Sequence, residues 1–191
     1  MKITMLDKKV IWHSAYFGTV ERCWVRKFEY GYRVDSEIEM SNFQNRVFGN
    51  AVYSIATDVD WNVTAFEITS TLGGSRFVLA GKSDGKGNWE IDGKDAPRLS
   101  GCFDIDILPT PFTNLLPVRR LDFTQQKVWE IDVIYIDLTT GSFERKRQRY
   151  TKLSEREFRF ETIPEDFEAV ILVDEIGLVM DYPGLFRRQD S

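Results

Sequence analysis

Two pairs of aspartates carry the most suggestive chemistry in this 191-residue chain: Asp104 with Asp106, and Asp58 with Asp60. In an extended strand, residues two apart point to the same side, so each pair presents two carboxyl groups about 7 Å apart. One could give a proton while the other activates water, a spacing that suits inverting cleavage of a glycosidic bond. The same pairs serve equally as structural anions. Arg119 and Arg120 follow the second pair closely and could return antiparallel beside it. Neighbouring strand residues face opposite ways, so one arginine at most meets those carboxylates.

Other catalytic chemistry is narrowed by composition. His13 is the sole histidine, and Cys23 and Cys102 are the only cysteines. Multi-histidine metal centres and four-ligand zinc sites cannot be assembled from one copy, so neither metal nor cofactor is expected. A hydroxyl–imidazole pair has only His13 to draw on. Both cysteines read as reduced, buried small hydrophobes. Gly81, Gly85 and Gly87 have no helix after them and read as hairpin glycines, not a phosphate cradle. Lys and Arg number 25 against 30 Asp and Glu, a net charge of −5 that disfavours nucleic acid and anionic membranes as electrostatic partners. The basic run Arg145–Arg149 reads as a charged edge strand.

The elements that must position these groups are strands. Phe28, Tyr30, Tyr32, Val34, Ser36, Ile38 and Met40 alternate with charged or small residues at the odd positions, a period of two with one face on a core and Ser36 at a bend. Ile131 to Leu138 and Val170–Val173 read as more fully buried strands. Turn residues punctuate the chain at Gly73-Gly74, Asp84-Gly85, Asp92-Gly93, Thr140-Gly141 and near Gly177. Helical spacing is confined to Ser41–Phe48 and Leu153–Arg156. The expectation is one mainly β domain over residues 1–191, with about ten or more antiparallel strands and few short helices. A sheet that long must curl into a roll or partly open barrel. Pro109, Pro111 and Pro117 stiffen the connection after the strand carrying Asp104 and Asp106, and Thr113-Asn114 close its turn.

That region also resembles a known family. Gly-Cys-Phe-Asp-Ile-Asp-Ile-Leu-Pro-Thr-Pro-Phe-Thr-Asn-Leu-Leu-Pro-Val-Arg-Arg-Leu at 101–121 is similar to the signature of the bacterial glycolipid-binding family. So are Asp58-Val59-Asp60-Trp61, Gly87-Asn88-Trp89, Gln148-Arg149-Tyr150 and the tail from Val173 to Phe186. The resemblance implies a spiral β-roll with a lipid or glycolipid ligand.

Together these readings give a non-catalytic binder of a lipid, glycolipid or similar amphiphile. Trp61, Trp89, Asp104, Asp106, Thr113, Asn114 and Arg119 are the expected ligand-binding residues. The tryptophans would stack on sugars or acyl chains, the polar groups would meet hydroxyls, and Arg119 an anionic substituent. A carbohydrate-active hydrolase and a solid-packed interaction module are the alternatives. No run approaches the roughly 20 apolar residues of a membrane span, and a cytoplasmic location is expected. A strand edge left open would permit a homo-oligomer.

Overall fold

The period-two pattern carries through almost every segment that the computed structural model describes, residues 6–42, 44 and 46–189. Among them fifteen strands form a single sheet. The first half is an antiparallel meander: β1 (Asp7–Ser14), β2 (Thr19–Phe28), β3 (Gly31–Ser41), β4 (Val47–Thr57), β5 (Val63–Leu72), β6 (Ser75–Ser83), β7 (Trp89–Ile91) and β8 (Lys94–Asp95). The chain then crosses to β9 (Asp104–Leu108), a helix α1 (Leu115–Arg120) and β10 (Val128–Asp137). A second meander follows through β11 (Ser142–Lys152), β12 (Glu157–Ile163), β13 (Glu168–Val173), β14 (Val179–Tyr182) and β15 (Phe186–Arg188). β15 pairs antiparallel with β1, His13 opposite Arg187, and so fuses the two meanders.

The sheet does not close into a barrel; β8 and β9 are its two ends. Residues just before β9 nevertheless lie along the opposite end. Gly101 N donates to Gly87 O at 2.9 Å and Trp89 Nε1 to Cys102 O at 2.8 Å. The helix is the wedge between the two halves. Leu115 and Leu116 pack into the core of the first meander with Trp12, Ile38 and Phe66, whereas Val118 packs on the Tyr150, Phe158, Phe160 and Phe186 cluster of the second.

Several sequence expectations are corrected. The chain after β9 does not return antiparallel: β10 runs parallel to β9, with Asp106 opposite Tyr135. A parallel pair needs a crossover, and α1 supplies it. Pro117 sits in that helix's first turn, where no amide hydrogen is required. Ser41–Phe48 is a hairpin between β3 and β4, with Asn42 Oδ1 accepting from Gln44 N and Arg46 N; Phe43 and Asn45 of this segment lie outside the described residues, as do residues 1–5. Leu153–Arg156 is likewise a turn, held by Ser154. Ser36 lies within β3, and the break in the long alternating run falls at Glu29-Tyr30. Val170 and Leu172 are exposed while Ile171 and Val173 are buried, so β13 alternates. Arg145–Arg149 is no edge: β11 lies between β10 and β12, and its arginines pair with Asp132 and Glu130 of β10. Both cysteines are free and buried.

Gly31 shows how tightly the first meander is closed. Its φ is +150°, and a Cβ there would meet Thr57 O at 1.8 Å, a backbone atom that cannot step aside. Gly31→Ala is expected to lower unfolding stability by about 1–3 kcal/mol in urea titration.

Candidate functional site

The proline-stiffened corner after β9 builds the most distinctive concavity. Leu108–Pro109 is a cis peptide, and Phe112–Asn114 forms a single 3-10 turn that runs into α1. This corner and the tips of the second meander enclose a cavity of about 400 Å³. One wall is aromatic, made by Phe17, Phe160, Phe167, Tyr182 and Phe186. The rings form a continuous chain: Phe17 stacks on Phe186 (5.5 Å between centroids), Phe186 meets Tyr182 (6.0 Å), and Tyr182 meets Phe167 and Phe160. Tyr16, 71% exposed at the β1–β2 turn, packs edge-on against Phe17 and extends the chain to the rim.

The polar lining is Asp106, Thr110, Asn114 and Gln148, together with Tyr135, Lys146 and Asp166. Asp106 Oδ1 accepts from the Thr113 hydroxyl (3.0 Å) and Oδ2 from Gln148 Nε2 (2.6 Å). Gln148 Oε1 has no protein partner among the described residues. Asn114 Oδ1 accepts from the Tyr150 hydroxyl at 3.0 Å while its Nδ2 donates to Pro111 O. Burial pushes the Asp106 carboxyl above the ordinary aspartate range, against the opposing pull of the Gln148 and Thr113 hydrogen bonds and the Lys146 charge. The Lys146 ammonium lies 4.0 Å from the Tyr135 ring centre and 3.5 Å from Glu144.

The seven residues expected from sequence divide accordingly. Asp106 and Asn114 line the cavity, and Thr113 holds Asp106 from behind. Asp104 is fully buried and bound in bidentate fashion by Arg120, Nε to both oxygens at 3.1 Å and Nη2 to Oδ2 at 2.6 Å. Both arginines lie on α1, not on a strand: Arg120 meets Asp104 alone, and Arg119 is exposed. Trp61 and Trp89 lie in the first meander's core, away from the cavity. Trp61 stacks on Tyr32 at 3.8 Å, and Trp89 packs on Phe66. Asp58 caps its own turn through Asp60 N, Asn62 N and Asn62 Nδ2. Neither aspartate pair therefore stands as two free carboxyl groups facing one void. Among the described residues no three His, Cys, Asp or Glu side chains cluster as metal ligands, and no helix is long and apolar enough to cross a membrane.

Sequence reasoning missed the aromatic wall and Gln148. Phe160, Phe167, Tyr182 and Phe186 sit on three separate strands and a turn, and only the pairing of β12, β14 and β15 brings them together. The signals present were the family-like fragments Gln148-Arg149-Tyr150 and Val173–Phe186, which hold Gln148, Tyr182 and Phe186, and the spacing of Phe158 and Phe160 two residues apart. A second, larger depression of about 560 Å³ crosses β1 to β5. It is a trough on the outer face, bordered by Lys9, Arg22, Asp35, Glu37 and Glu67 alongside Ile11, Trp24 and Val52, and its aromatic lining is Trp24 and Tyr53 against the cavity's run of rings.

The family described as "Putative glycolipid-binding" matches residues 9–188. A crystal structure of a DUF1089 family protein from Pseudomonas aeruginosa superposes with a TM-score of 0.78 at 32% identity, covering 88% of this chain and 92% of that one. A β-barrel-like DUF1849 protein from Brucella abortus shares the fold, with a TM-score of 0.51 at 10% identity over 99% of this chain and 96% of its own. No curated protein matches the chain.

Proposed function

The chain belongs to the glycolipid-binding family, and from that premise we propose that the cavity beside the proline corner binds an amphiphile, its polar headgroup on the Asp106–Gln148–Asn114 side and its apolar part along the aromatic wall. One observation carries this reading: a run of aromatic rings and a set of hydrogen-bonding side chains line a single void of about 400 Å³, within the roughly 300–1,000 Å³ of small-molecule sites. That set mixes acceptors and amide donors, the complement that sugar hydroxyls need. Two acids, Asp106 and Asp166, line the cavity against Lys146, its sole lining cation among the described residues. Uncharged glycosyl headgroups are thus favoured over phosphates, since like charge at close range is costly.

Titration calorimetry with octyl glucoside and with octyl phosphate tests the reading. Octyl glucoside is expected to bind more tightly. Asp106→Asn, which keeps the shape but turns one acceptor oxygen into a donor, is expected to weaken it about fivefold, the worth of roughly one hydrogen bond. Equal binding by wild type and variant, or preference for the phosphate, contradicts the assignment.

A further inference from the structure

Glu21 of β2 does not line the cavity and has no part in the binding just described, yet it is 1% exposed, and the partners it has are hydroxyl groups, not cations, among the described residues. Its Oε1 accepts from the Ser36 hydroxyl (2.7 Å) and the Tyr53 hydroxyl (2.6 Å). Oε2 is buried without any hydrogen-bond partner. Because the single proton of Tyr53 goes to Glu21, the 3.3 Å contact between Tyr53 and Thr110 must be donated by Thr110. Thr110 Oγ1 in turn accepts from Phe112 N at 3.0 Å, at the start of the 3-10 turn. Thr110 also lines the cavity. A chain of three hydrogen bonds therefore runs from a buried carboxyl group, through the proline corner, to the ligand chamber.

Resting on the reading of that chamber as the ligand site, we propose that Glu21 is a positioning residue for it: protonated, it holds the 109–114 wall through Tyr53 and Thr110, and losing its proton loosens the wall and weakens ligand binding. Ionised, Oε2 becomes a buried anionic acceptor with no donor. The nearest remedies are the Thr110 hydroxyl, withdrawn from Tyr53, and water admitted past Thr110. A ligand that fills the chamber opposes both. The groups facing Glu21 leave this carboxyl as the element that titrates. β2 offers Cys23 and β4 Tyr53, both held protonated well above their usual range, chiefly by burial. In register, β1 presents Trp12 and β3 presents Ile38. Burial outweighs the hydrogen bonds from Tyr53 and Ser36 and pushes the Glu21 carboxyl up to about 7, where the change in charge falls at neutral pH.

Two readouts test the proposal. In the ligand-free protein, NMR signals of Thr110 and of the Phe112 amide should titrate together with the Glu21 carboxyl between pH 6 and 8, and Glu21→Gln should abolish the transition. With octyl glucoside as probe, the dissociation constant should rise at least threefold from pH 6 to pH 8 in wild type and stay flat in Glu21→Gln, a difference that loss of structure alone would not produce. Signals at Thr110 and Phe112 that ignore pH, or a wild-type affinity that does, would overturn it. If octyl glucoside fails to bind at either pH while the Thr110 and Phe112 transition is present, the chamber is not the glycolipid site, and the positioning role of Glu21 stands on the NMR titration.

Discussion

Arg120→Ala is expected to cost about 3–5 kcal/mol of unfolding stability, read as a lower midpoint in urea. The reason is the neighbour it leaves behind. Asp104 is fully buried at the head of β9 and has Arg120 as its hydrogen-bond partner, so truncation strands a carboxylate where water cannot reach it. Removing both partners and refilling the space avoids that state: Asp104→Leu with Arg120→Met should recover most of the loss. Arg119→Ala, on the exposed side of the same helix, should change stability by less than about 0.5 kcal/mol. A mild Arg120→Ala variant would show that the pair is not what locks α1 to β9.

The second large effect is the pH dependence of stability contributed by Glu21. Its carboxyl binds a proton more tightly when folded, at about 7, than at its ordinary value of 4.5. The contribution is therefore complete below the unfolded value, declines as pH rises between the two, and levels off above the folded one. The gap corresponds to about 3 kcal/mol. Glu21→Gln cannot ionise. The stability difference between wild type and variant should thus shift by about 3 kcal/mol in the variant's favour between pH 4.5 and pH 8. Taking the difference removes other titrating groups, Asp106 included. Parallel stability curves for the two proteins would refute the buried, unpaired state of Glu21.

Both effects come from groups whose importance was unevenly visible in the sequence. Alternation of apolar residues announces a strand wherever one face meets water, and so β3 and β12 were legible. The turn glycines located most hairpins. The parallel β9–β10 pair was not legible, because a six-residue helix containing proline carries too little periodicity to displace a loop reading. The choice between Arg119 and Arg120 depended on that helix: in a strand the two point opposite ways, whereas on α1 the last residue swings back over Asp104. Asp106, Thr113 and Asn114 could be found because they are close together in the chain. Phe160, Tyr182 and Phe186 could not, since their proximity depends on which of fifteen strands lie side by side. Glu21 had no signal of its own in the sequence, and only the inward facing of odd positions in β2 buries it. Trp61 and Trp89 show the reverse error of emphasis: a large aromatic beside a turn reads as a stacking platform, while the first meander uses both to fill its core.

The central claim, an amphiphile seated between the proline corner and the aromatic wall, is tested most directly by a crystal structure of the protein with octyl glucoside. The account predicts the sugar within hydrogen-bonding distance of Asp106 and Gln148, with the alkyl chain against Phe160 and Tyr182. A glucoside resting in the outer trough of β1 to β5, with only water in the chamber, would contradict it.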